Sequence, residues 1–98
     1  MSYAEQLAAD RRLTILKLLA DSAGYSANEY LLQSALEGFG HAVGQDLLRT
    51  ELAWLAEQSL VAVLDVAQVN IAKLTARGGD VAAGRISVPG VKRPGPAA

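Results

Sequence analysis

The spacing of apolar residues changes once along this chain, near Leu60, and that change restricts the possible folds more than any other feature. Before it, apolar side chains recur every three to four residues, as on one face of an α-helix; after it, β-branched residues come in short strand-like runs. Leu7, Ala8, Leu13, Ile15, Leu16, Leu18 and Leu19 lie in a stretch without Gly or Pro, which predicts a first helix over residues 4–21. Ala23, Gly24 and Tyr25 stop it. Ser26 followed by Glu29 has the spacing of a capping box and is expected to open a second helix through Leu31, Leu32, Ala35 and Leu36, which Gly38 and Gly40 end. Leu48, Leu52 and Leu55, with Trp54 beside them, predict a third helix over residues 45–58. Then LVAVLDV and VNIAKL, joined by Ala67 and Gln68, read as a β-hairpin. Thr75 stands at the N-cap of a short last helix that Gly78, Gly79 and Gly84 weaken. The chain is thus mainly α with a β-hairpin, in the order helix, helix, helix, strand, strand, helix. Its expected core is Leu16, Leu19, Leu32, Leu36, Leu48, Leu52, Leu55 and Leu74.

With 98 residues, 51% of them apolar, the chain has the size and the apolar content for one modest core. Residues 1–85 are read as that domain. Residues 86–98 are read as a separate C-terminal arm, because ISVPGVKRPGPAA carries three Pro and two Gly and favours extended backbone. The arm is expected to be ordered at Ile86 and Val88 and to fray after Pro89. Charge divides at the same place: residues 1–84 hold all ten acids and six bases, net −4, whereas the arm and Arg85 hold three bases and no acid, net +3. The overall formal charge of −1 excludes a uniformly basic nucleic-acid coat and an acidic disordered tail. Cysteine is absent, so disulfides, thiolate metal sites and thiol nucleophiles are excluded. No stretch approaches the roughly 18 unbroken apolar residues of a membrane span. The N-terminus also lacks the basic-then-apolar order of a signal peptide. The expected location is the cytoplasm, without a membrane partner.

A tight Gly-containing link between helices and a hairpin directly after the third helix is the order of a winged helix-turn-helix domain. The residues resemble that family as well. Leu52 to Val61, LAWLAEQSLV, is similar to the L-x-x-L-x-x-x-G-L-V that carries a recognition helix into its wing. Leu74 to Gly78, LTARG, is similar to the L-T-x-x-G that leaves the wing in MarR-like, PadR-like and ArsR-like regulators. From SYAEQLAADRR through VPGVKRP the chain further resembles a family of small regulator-like proteins of Mu-like phages and prophages. Ser59 departs from the pattern: it stands where Gly usually supplies a positive φ, so that turn is expected to carry strain of roughly 1 kcal/mol or to be built differently.

In such a domain the outer face of the third helix enters the major groove, and here that face carries Gln45, Asp46, Arg49, Thr50, Ala53 and Glu57. Gln45, Arg49 and Thr50 have side chains able to read base edges. Arg11 and Arg12 on the first helix, Lys73 on the hairpin and the basic arm are candidate phosphate contacts. The opposite reading gives these side chains only to solvent, because Asp46, Glu51 and Glu57 leave the third helix at net −2 and the wing tip, Val66, Ala67 and Gln68, has no base. Leu64, Val66, Val69 and Ile71 cannot all face inward from a two-stranded hairpin, so some are expected to be exposed or covered by another chain.

Single His41 has no second histidine or cysteine to complete a zinc site, and the acids lack the dense spacing of a calcium loop. It is read as a phosphate contact or a helix-end hydrogen bond. The glycine-rich, nucleophile-elbow and H-E-x-x-H motifs of catalysis are absent, so neither an enzyme nor a cofactor is expected. Two functions remain: a DNA-binding transcriptional regulator of a phage or prophage, and a winged-helix interaction or assembly module that docks a phage protein partner without binding DNA. The resemblance implies a homodimer formed by the first and last helices. Its expected interface is Tyr3, Leu7, Val81, Ile86, Val88 and Val91.

Overall fold

The structure, a computed structural model, describes residues 1–95. It contains α1 (Tyr3–Ala20), β1 (Ser26–Asn28), α2 (Glu29–Gly38), α3 (Gln45–Glu57), β2 (Val61–Val66), β3 (Val69–Leu74) and α4 (Ala76–Ala82). The strands form one antiparallel sheet in the order β1-β3-β2. Together these elements make a winged helix, as the sequence implies.

The elements begin where side chains can satisfy the first open amides of each helix. Ser2 starts α1 through a capping box: the Glu5 backbone N–H donates to Ser2 Oγ and the Ser2 N–H donates to Glu5 Oε1, both at 3.1 Å. The box expected at Ser26 and Glu29 does not form. Ser26 is drawn into β1, opposite Lys73 of β3, and Asn28 caps α2 by accepting the Leu31 N–H at 2.9 Å. A three-residue strand flanked by helix signals has too little sequence to show a period, so β1 was not legible. Thr75 caps α4 as expected, accepting the Gly78 N–H at 2.9 Å.

Ile15, Leu16 and Leu19 of α1 meet Leu32 and Leu36 of α2, Leu48, Leu52 and Leu55 of α3, Leu60 just before β2, and Val61 and Ala72 of the sheet in one core. Each fully buried Leu contributes about 1.5–3 kcal/mol relative to exposure. Leu74, expected inside, lies half-buried at its margin. The arm does not fray after Pro89. Val88 and Val91 are buried, and the Lys92 N–H donates to Ala9 O at 3.1 Å, which lays the arm along α1. Residues 96–98 lie outside the described residues. Among the described residues no helix is long and apolar enough to cross a membrane.

Two backbone positions test the local geometry from opposite sides. Ser59 has φ 62°, the left-handed region expected of a glycine there. Gly78, whose added Cβ would lie 2.0 Å from Leu60 O, seats α4 directly on the start of the hairpin. Ser59→Gly is expected to raise stability by about 0.5–1 kcal/mol and Gly78→Ala to lower it by at least about 3 kcal/mol, both read by urea unfolding.

Candidate nucleic-acid interface

The face that a winged helix offers to DNA is organised here around a buried carboxylate. Glu29, the first residue of α2, is 1% exposed. Arg49 of α3 donates to it twice, Nε to Oε1 at 2.8 Å and Nη2 to Oε2 at 3.0 Å. Gln45 Nε2 donates to Oε1 at 3.0 Å, and the backbone N–H of Asn70 in β3 donates to Oε2. The last contact has a topological cause: β1 ends at Asn28, paired with Ile71, and the Glu29 side chain takes the next open amide along β3. Arg49 Nη2 also donates to Gln68 O at the hairpin tip, 3.0 Å away. Ala67 and Gln68 at that tip both have positive φ, 51° and 67°, as a two-residue hairpin turn requires. One carboxylate therefore ties α2, α3 and the wing together. Arg49 outweighs burial, with smaller help from the Asn70 N–H and the Gln45 amide, and holds the Glu29 carboxyl at about 2 instead of 4.5.

Of the residues singled out from sequence, Gln45 and Arg49 thus meet, but on an internal acid. Gln45 also lies 3.4 Å from Tyr30 Oη. Thr50 is exposed on α3, with Oγ1 donating back to Asp46 O at 3.0 Å. Lys73 is exposed, yet it lies five residues from Gln68 along β3, about 16 Å from the wing tip. Arg11 and Arg12 are not a phosphate patch. Arg11 is buried with Nη1 2.9 Å from Glu51 Oε2 on α3, and Arg12 Nε lies 3.1 Å from the other oxygen. Arg12 also stacks 4.0 Å above the Trp54 ring and donates from Nη1 to Gly90 O of the arm at 3.0 Å. These arginines join α1, α3 and the arm. His41 is likewise internal: it is buried, and Nε2 lies 2.7 Å from Asp10 Oδ2 of α1, whose other oxygen is 3.3 Å from Lys92 Nζ. That contact is neither of the roles expected for it, and the His41 hydrogen bond holds the Asp10 carboxyl below its usual range.

The outer face of α3 is left with Asp46, Leu47, Thr50, Ala53 and Glu57 exposed. Of the expected dimer residues, Tyr3 (77% exposed) and Ile86 remain at the surface and Leu7 is half-buried. Val81, Val88 and Val91 are covered by the chain itself and are corrected to core residues. Among the described residues no cluster of three or more His, Cys, Asp or Glu is placed to hold a metal ion.

This architecture defines the class: the chain is a winged-helix protein. A chain in the complex structure of hsRosR-S4 has the same fold, with a TM-score of 0.65 over 82% of this chain and 71% of that one at 24% identity. No protein-family model matches the sequence. The sequence is 49% identical over 92 residues to uncharacterized protein gp26 of Escherichia phage Mu, spanning 94% of this chain and 95% of gp26, and it belongs to the gp26 family. An uncharacterized protein of Haemophilus influenzae is 43% identical over 63 residues, which cover 64% of this chain and 61% of that protein. The expected kinship with Mu-like phage proteins is met.

The Glu29 cluster makes stability depend on pH in a defined sense. A carboxyl held lower in the folded than in the unfolded chain stabilises above the unfolded value of about 4.5, and that contribution fades as pH falls toward about 2. Glu29→Gln is expected to cost about 2 kcal/mol at pH 7 and much less near pH 2.5, measured by urea unfolding at both pH values.

Proposed function

We propose that this chain is a protein-docking winged helix of a Mu-type phage, whose third helix meets a protein surface and not base pairs. The observation that carries this reading is that Glu29 neutralises Arg49 internally and also takes the Gln45 amide. It leaves two acids, Asp46 and Glu57, with Leu47 on the exposed face of α3. Phosphate neutralisation by Lys and Arg supplies essentially all non-specific DNA affinity, and an acidic helix opposes it. An apolar residue flanked by acids suits a protein partner that carries bases around an apolar pocket.

The regulator reading keeps one observation in its favour. Thr50 is exposed, and the Arg49 side chain is 40% exposed, so both have reach toward a groove. In that reading Gln45, Arg49 and Thr50 read bases while Lys73 and the arm touch phosphates.

Fluorescence anisotropy with duplexes tiled across the flanking genome separates the two. For docking, the expected dissociation constant is weaker than about 100 µM at physiological salt, the weak end of ordinary non-specific binding. Replacing both exposed acids (Asp46→Lys, Glu57→Lys) is then expected to tighten it at least about tenfold. A photoactivatable side chain at position 47 is expected to cross-link in phage-producing cells to polypeptide and not to nucleic acid. Submicromolar, sequence-selective binding by the wild type would instead establish the regulator.

A further inference from the structure

The wing carries an unguarded edge. β2 has β3 on one side only, and among the described residues no strand lies on the other, so alternate residues of Val61–Val66 turn N–H and C=O outward. Edge strands ordinarily deter pairing with Pro, Lys, a bulge or very short length. Here the register with β3 runs unbroken through six pairs, from Val61 opposite Leu74 to Val66 opposite Val69, without Pro or Lys in β2. The one charge, Asp65, is turned to the hairpin, where Oδ1 accepts the Gln68 N–H at 2.8 Å. The same register puts Leu64 with Ile71 and Val66 with Val69 on the outer sheet face, and Leu64 and Val66 are 62% and 53% exposed.

We infer that a second copy of this chain pairs with the β2 edge, antiparallel about a two-fold axis, joining two three-stranded sheets into one. The strand is self-complementary in one register. Centred on Leu64, the pairing sets Leu64 against its counterpart, Ala62 against Val66 and Val63 against Asp65, so each carboxylate faces a valine. Centred on Asp65, it would put two carboxylates opposite each other, which is destabilising. Centred on Val63, it would bring buried Val61 and the body of the domain to the interface. The Leu64 register also covers the two most exposed apolar side chains of the wing.

Surfaces expected to pair through α4 and the arm are occupied, since Val81, Val88 and Val91 serve the core. Strand addition buries less than the roughly 1,200 Å² of standard stable interfaces, so the dimer is weak, with a dissociation constant on the order of 10 µM. It forms whether α3 meets protein or DNA.

Sedimentation velocity from about 1 to about 500 µM tests the pairing, a range chosen to bracket that constant. The wild type is expected to rise from 10.3 kDa toward twice that mass. Leu64→Arg is expected to weaken association at least tenfold with an unchanged circular dichroism spectrum, because that side chain is already in solvent. Since the chain has no cysteine, Leu64→Cys gives a single thiol, and the proposed register brings two such thiols within disulfide reach. Mild oxidation is expected to link Leu64→Cys into dimers and to leave Tyr3→Cys monomeric. A wild type that stays monomeric at the highest concentration overturns the proposal and leaves the edge to a strand of another polypeptide. Cross-linking of Tyr3→Cys but not Leu64→Cys overturns it in favour of pairing through α1.

Discussion

The ion pair between Glu29 and Arg49 is the constraint on which the functional face depends. A carboxylate that is 1% exposed is stable only if its oxygens are filled, and here two charged donors, an amide and a backbone N–H fill them. Because those donors come from α3 and β3 while the acid comes from α2, the cluster fixes the wing relative to the third helix. The hairpin needs that anchor. Beyond its pairing with β1, which ends at Ile71, it continues as two strands with Leu64 and Val66 exposed, and a two-stranded ribbon is marginally stable by itself.

A second set of charges does the same for the other side of α3. Glu51 takes Arg11 and Arg12 from α1, and Arg12 continues to Trp54 and to Gly90 of the arm. Gly90 has φ 92° and so close an approach to Trp54 that an added Cβ would fall 2.8 Å from the ring. Glycine is therefore required there both by the backbone and by the indole. The arm, expected from its composition to fray after Pro89, is held by this contact and by two buried valines. Proline and glycine content removes helix as an option without removing order, because extended backbone can still hydrogen-bond to a helix end or a side chain.

The helices, the hairpin and the Leu52-centred core were legible because long apolar stripes average over many residues. The hidden features were single residues. Arg11, Glu29 and Glu51 each sit on an apolar stripe: Arg11 four before Ile15, Glu29 three before Leu32, and Glu51 three after Leu48. A charge in that position signals a buried pair, and the two acids take three arginines between them, Arg11 and Arg12 on Glu51 and Arg49 on Glu29. Counting charges along one helix, as a solvated face invites, misses this because the partners lie on other helices. The Ser26 reading failed for a related reason: its spacing to Glu29 fits a cap, but the carboxylate gained more from Arg49 and Asn70 than from a helix end.

The same cluster is the physical basis of the proposed protein-docking reading. The N-termini of α2 and α3 carry partial positive charge, and in a DNA complex such ends and nearby arginines turn toward phosphates. Here Glu29 lies in the first turn of α2, and Gln45, the first residue of α3, donates to it. An internal anion thus already occupies the side-chain donors of Arg49 and Gln45, which a phosphate or base edge would otherwise meet. For Arg49 to turn outward, that carboxylate would be left buried without its cation, at a cost of about 3–5 kcal/mol that any new phosphate or base contact must exceed. One bidentate base contact contributes about 1–3 kcal/mol. The exchange is unfavourable by itself, and the exposed Asp46 and Glu57 oppose it further, which is the electrostatic argument behind the protein partner proposed for this face.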